Sequence, residues 1–205
     1  MQVDVGTGSI HDWECSAVVV LSFDGNTEPG DVTRSGQLSG SVAALDAVSG
    51  GYFQRQLDAG ELPTKLGKVS GFHQVPGVTA ARVAVVGAGR QRDFDVRAAF
   101  RCGGAGSKCL ADRNRPTVAF DFALSDDRLI AAAISGAMNG CIGQDLFRSE
   151  RSLHPIQHMR WWSAASNAVQ RGTCLGEGIA LARELVNLPP NFMYPEAFTE
   201  RAAEV

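Results

Sequence analysis

The sequence predicts an α/β fold, a mostly parallel or mixed sheet layered between helices, on three observations. β-Branched apolar runs of strand length alternate with segments of helical periodicity. Gly, Pro, Asn and Asp punctuate the joints between them. The chain has 205 residues, 44% hydrophobic and 20% charged, enough to bury a continuous core without disulfides or a structural metal.

Gln2–Val5 alternates polar and apolar residues, the pattern of a short edge strand. Ser16–Phe23 is a buried strand ended by Asp24-Gly25-Asn26, and residues 26–40, rich in Gly, Ser, Thr and Pro, read as loop. Val42, Leu45 and Val48 recur every three residues, which predicts a helix over Ser41–Val48, stopped by Ser49-Gly50-Gly51. Tyr52–Ala59 adds a short helical turn before Gly60. Lys65–Gln74 and Arg82–Val86 read as strands around the turn Pro76-Gly77. Asp95 is a good N-cap for a helix whose repeating positions are Val96, Phe100, Gly103/Gly104, Ser107 and Leu110. Thr117–Leu124 is a strand, Asp126–Phe147 is Ala-rich and helical, and Gln157–Trp162 is a last strand with Met159 and Trp161 on one face.

After Ser163 the character changes. A long helix is predicted from about Asn167 to Val186, with an apolar stripe of Leu175, Ile179, Ala182 and Val186 and with Arg171, Glu177, Arg183 and Glu184 away from it. Asn187-Leu188-Pro189-Pro190 stops it. A second helix opens at Pro195, a favoured first helical position, and runs into Val205. The change of character separates a domain over 1–163 from a helical remainder.

A formal net charge of −3 argues against a strong pull toward nucleic acid or anionic membrane. Met1–Cys15 has no secretory pattern, and the longest apolar run, Ala17–Leu21, is far short of the ~20 residues of a membrane span. Five scattered cysteines, Cys15, Cys102, Cys109, Cys141 and Cys174, suit reduced thiols in a cytoplasmic protein.

The stretch Gly178–Asn191, GIALARELVNLPPN, resembles the linker of the leucyl aminopeptidase family, where a helix ending in Arg-acid-Leu-x-Asn-x-Pro-Pro-Asn joins a variable amino domain to a catalytic domain. Leu45–Gly51, Lys65–Lys68 and Arg82–Gly89 resemble other family segments in matching order. Two positions depart from the pattern: Glu184 stands where aspartate is usual, and Tyr194 where a helix-capping residue often stands.

The resemblance implies a macro-domain-like mixed sheet between helices over 1–163, a linker helix over 164–188 and the first residues of the catalytic domain over 189–205. It also implies a parent enzyme that removes amino-terminal residues from peptides, using two divalent metals, zinc or manganese, to polarise the carbonyl and activate water. The implied partners are its own catalytic domain and a homohexamer. The family's Asn-Thr-Asp-Ala-Glu-Gly-Arg signature does not occur here. No catalytic, cofactor-binding or metal-binding residue is therefore assigned to this chain, and all are expected beyond Val205. The rival reading is a macro-like module that binds ADP-ribose or another nucleotide, with Gly50-Gly51 and the loop after Asp24 cradling phosphate.

Other candidate sites read best as structure. Gly87-Ala88-Gly89 has Arg92 where a dinucleotide fingerprint needs Gly or Ala, so a tight strand-to-loop turn is preferred. His154 and His158 have metal spacing only on a helix, which Pro155 disfavours, and His11 and His73 stand alone. Cys102 and Cys109 share a helix with no base nearby, so packing is expected. Arg97, Arg101 and Lys108 share a helix face, either a solvated surface or an anion stripe. Of Trp161 and Trp162, one ring should enter the core and the other lie near the linker helix.

Overall fold

The structure, a computed structural model, describes residues 1–25, 38–142, 152–162, 164–189, 191–192 and 194–203. The run Ala17–Leu21 has no polar residue because both of its faces are covered. It forms the centre of β2 (Ala17–Asp24), where Ala17, Val19 and Leu21 enter one core and Val18 and Val20 the other. With β1 (Gln2–Val5), β3 (Val69–His73), β4 (Arg82–Arg90), β5 (Thr117–Asp121) and β6 (His158–Trp161) it builds one sheet in the order β1-β6-β5-β2-β4-β3. All pairs are parallel except β3 with β4. The expected mixed sheet is present, and Gln2–Val5 is an edge strand as its alternation predicts.

Helices cover both faces. α1 (Gly40–Val48) and α2 (Tyr52–Asp58) lie on one side, over a core of Val18, Val20, Val83, Val85 and Phe53. α3 (Val96–Leu110), α4 (Asp127–Gly140) and α5 (Ser166–Asn187) lie on the other. α6 (Pro195–Ala203) follows α5 and has no buried residue. No helix among the described residues is long and apolar enough to cross a membrane.

Several boundaries differ from expectation. Lys65–Lys68 is a loop, because Gly67 takes φ +78° and turns the chain onto β4. Gly67 N–H donates to the Gly87 carbonyl at 2.8 Å, and Gly89 N–H donates to Thr64 at 2.7 Å. Gly87-Ala88-Gly89 is accordingly no strand-to-loop turn; it lies inside β4. There the register slips from Ser22↔Gly87 to Phe23↔Gly89, a bulge made possible by the left-handed Gly89. The strand starting at Thr117 ends at Asp121, whose carboxylate accepts the Ala123 N–H at 3.1 Å while Ala123 turns to φ 49°. α4 stops at Gly140, and Phe147 lies outside the described residues.

Met159 and Trp161 share the buried face of β6, with Trp161 stacked on Phe120 at 4.6 Å and 9°. Trp162 is buried in the opposite core, edge-on to Trp13, its Nε1–H donated to Gly8 at 2.7 Å. It is Trp161, therefore, whose core includes Ala168 and Val169 of α5, and Trp162 lies away from that helix.

Beyond α3 the chain turns through an ionic knot. The Asp112 carboxylate meets Arg115 at 2.9 Å, Arg113 at 3.4 Å and Arg82 at 3.5 Å, and the buried Arg115 also donates to the Leu110 carbonyl at 2.9 Å. Partial burial works to raise the Asp112 pKa, but the Arg115 hydrogen bond and the three positive charges outweigh it and hold the carboxyl below its usual range. The knot thus stabilises the fold above the unfolded carboxylate value of about 3.9, and that contribution is lost as pH falls through the depressed folded value. Asp112→Asn is expected to cost about 1–2 kcal/mol at pH 7 by leaving Arg115 and Arg82 under-partnered. Urea denaturation at pH 7 and pH 3 checks this: the gap between variant and parent should narrow at the lower pH.

Candidate functional site: the linker helix and its anchors

The residues that seat α5 on the helical layer are small. Ala168, Val169, Gly172 and Gly176 are its buried positions. A methyl group at Gly172 would meet Ala131 and Ile134, and one at Gly176 would meet the Met138 sulfur, so both glycines permit close approach to α4. The expected stripe of Leu175, Ile179, Ala182 and Val186 is therefore not the packed face: Leu175 is 48% and Val186 83% exposed. α4 in turn is buried at every residue from Ile130 to Asn139, clasped between α5 and α3.

Polar bonds fix this joint. Asn139, buried on α4, donates its amide to Ser135 at 2.9 Å and across to Gly176 at 3.0 Å. Arg183 reaches back from α5 to the carbonyls of Asn139 at 2.8 Å and Ile142 at 3.0 Å. A guanidinium there satisfies carbonyls left open by the end of α4 and opposes the negative end of its dipole. The neighbouring Glu184 points the other way and pairs with Arg201 of α6 at 3.3 Å. The adjacent charges of the Arg183-Glu184 pair thus have opposite assignments, one to the sheet domain and one to α6.

The remaining candidates are dispersed. His154 donates its backbone N–H to Ala111 ahead of β6, while His158 opens that strand, so the two do not form a pair on one helix. His11 lies beside Asp12 at 3.5 Å and His73 ends β3, exposed. Cys102 is buried in the core at the Gly87 carbonyl, where burial pushes its pKa up to about 12. Cys109 accepts from Arg82. Burial likewise pushes Cys15 up to about 11 and raises Cys141, so these buried thiols suit packing.

Gly50 and Gly51 take φ +65° and +76° in the turn from α1 to α2. The end of α1 that they follow, at Val48, packs on Gly77 before β4, whereas its start at Gly40 lies by Ala123, past the carboxyl end of β5. Of the phosphate cradle expected on the rival reading, the Gly50-Gly51 turn is described, whereas the loop after Asp24 lies outside the described residues over 26–37. Of the basic stripe, Arg97 and Arg101 line a groove on the helical layer, joined by Arg128 and Arg171, and Lys108 does not. Arg128 and Arg171 were not legible as companions, because they come from two other helices.

A sequence model described as the cytosol aminopeptidase family, N-terminal domain, matches residues 19–151. The chain belongs to this family. The aminopeptidase relatives include probable cytosol aminopeptidases of Aromatoleum aromaticum, 29% identical over 98% of this chain and 42% of the relative, and of Shewanella frigidimarina, 26% identical over 100% and 42%. The chain thus spans about 42% of the length of these curated relatives. Among solved structures, a tomato leucine aminopeptidase mutant matches with a TM-score of 0.77 at 16% identity, over 100% of this chain and 42% of that one. The bottromycin maturation enzyme BotP in complex with Mn matches at 0.64 and 22% identity, over 92% and 35%. Both likenesses carry the α/β fold.

Proposed function

We propose that this chain is the non-catalytic amino-terminal domain of a metal-dependent leucyl aminopeptidase, and that its work is to position and assemble the catalytic part. In this reading residues 1–163 are the macro-like scaffold, 164–188 the linker helix, and 189–205 the start of a catalytic domain. The whole enzyme is a cytoplasmic homohexamer that removes amino-terminal residues from peptides. The observation that carries the reading is the division of labour at Arg183 and Glu184: within the motif that resembles the family linker, one charge is bonded to α4 and the next to α6.

The two divalent ions, zinc or manganese, would polarise the scissile carbonyl and activate water. Among the described residues no three His, Cys, Asp or Glu side chains converge to hold a metal ion. The described residues do not fit those ions.

The expected result for residues 1–205, given Mn²⁺ or Zn²⁺ and a leucyl p-nitroanilide, is no turnover above a metal-free control. The gene is expected to continue past Val205 into a domain with the Asn-Thr-Asp-Ala-Glu-Gly-Arg signature, and the longer product should cleave the same reporter. Turnover by residues 1–205 alone, or a downstream domain of unrelated sequence, would overturn the reading.

A further inference from the structure

The glycine contacts that draw α3 and α5 onto α4 have a by-product. Ala131, Ala132 and Ser135 of α4 line a groove together with Phe100 of α3 and Leu175 and Ile179 of α5. The result is a groove of about 470 Å³ with an apolar floor, within the roughly 300–1,000 Å³ range of small-molecule sites. Its floor is buried, yet Leu175 and Val96 at its margins are about half exposed, so no described residue covers this apolar surface.

Charge is the second observation. Arg97, Arg101, Arg128 and Arg171 line the groove and no acidic residue does, in a chain whose net charge is −3. Arg128 is held by Asp126 at 2.8 Å. Arg97, Arg101 and Arg171 form no ion pair among the described residues. An apolar trough ringed by guanidinium groups is complementary to one ligand chemistry, an apolar body ending in an anion. A guanidinium grips a carboxylate through two parallel hydrogen bonds, and an alkyl chain of about ten carbons covers the floor and walls. A nucleic-acid strand suits it less, since Lys108 is off the groove and the floor is aliphatic, with no row of rings for bases to stack on.

We propose that the groove between α3 and α5, with Arg97 and Arg171 at its rim and Ala131, Ala132 and Ser135 as its floor, binds a medium-chain acyl carboxylate. All of the lining residues belong to this chain, so the site's test is independent of aminopeptidase turnover.

Decanoate is the probe, titrated calorimetrically into residues 1–205 at concentrations below its self-association. The expected Kd is on the order of 0.1–1 mM for a ligand of that size. Decanol, with the chain but no charge, should bind at least ~10-fold more weakly, and decyltrimethylammonium should not bind. The surface double variant Arg97→Ala/Arg171→Ala should lose ~10-fold or more, whereas Lys108→Ala should lose nothing. Ala132→Leu fills the floor without changing charge and should abolish binding, with a lowered melting temperature because Ala132 is buried. Absence of decanoate binding, equal affinity for decanol, or parental affinity in the double variant would each overturn the site. If Ala132→Leu does not fold, the surface variant alone decides.

Discussion

Gly136→Ala is expected to destabilise the domain by about 2–3 kcal/mol, and Gly178→Ala to stabilise it by about 0.5–1 kcal/mol, although each adds one methyl group to a helix. The difference lies in what that methyl would meet. At Gly136 it would drive into the backbone of Phe100 in α3. The contact is repeated along the seam, where Gly103 faces Ala133 and Gly140 faces Gly104, so the two backbones cannot separate at one point without loosening all three. Gly106, one turn beyond Gly103, rests on Val19 and Val86 of the sheet and prevents α3 from backing away. At Gly178 nothing lies within 4 Å, and alanine simply removes glycine's entropy penalty in a helix. In thermal denaturation the variants should move in opposite directions, Gly136→Ala falling by roughly 4–12 °C. Equal shifts would mean that the seam is loosely packed and that the clasp around α4 does not hold the layer.

That seam also marks the limit of what the sequence can disclose. Hydrophobic periodicity finds a helix face when contact is made by large apolar side chains, and it located β2, β5, β6 and α1 well because Val, Phe, Met, Trp and Leu make those contacts. Across α3, α4 and α5 the contact is made by glycine and alanine, which carry little hydropathy. The pattern in α5 therefore selected Leu175, Ile179 and Val186, whose mean direction is about 40° around the helix from the packed line of Ala168, Gly172 and Gly176. In α3 it included Val96, which is exposed, and omitted Gly106, which touches the sheet.

The bulge at Gly87–Gly89 was hidden for a different reason. It depends on the loop Thr64–Lys68 lying alongside, a pairing of residues 19 to 25 positions apart. The groove was half legible: Arg97 and Arg101 could be placed on one helix face, but no one-dimensional signal brings Arg128 and Arg171 beside them. The stretch Gly178–Asn191 was read through its resemblance to a family motif, and the structure adds that its arginine bonds to α4 and its acid to α6.

A step in backbone protection is expected at Arg183. Amides of Ala168–Gly176 should exchange nearly as slowly as those of the strand Ala17–Phe23, whereas amides of 189–203 should exchange at least ~100-fold faster. On the amino-terminal side, α5 is held by the close contacts of Gly172 and Gly176 and by the Asn139 bridge. It is held also by two charge-assisted bonds from Arg183, worth about 1.5–3 kcal/mol each when a charged partner is involved. On the other side, α6 has nine residues, none of them buried, and Phe192, Tyr194 and Phe198 lie exposed. A helix of that length is marginal alone in water. Its ion pair from Arg201 to Glu184 joins two partly exposed groups, an interaction worth about 0–1 kcal/mol. Local opening of α6 therefore need not wait for the domain to unfold. Arg183→Ala should move the step toward the amino terminus by about two turns, to the Asn139–Gly176 bridge, while Glu184→Ala should leave its position unchanged. Uniformly slow exchange from 168 through 203 in a monomeric sample, or a step that Arg183→Ala does not move, would show that the linker is anchored by something other than this guanidinium.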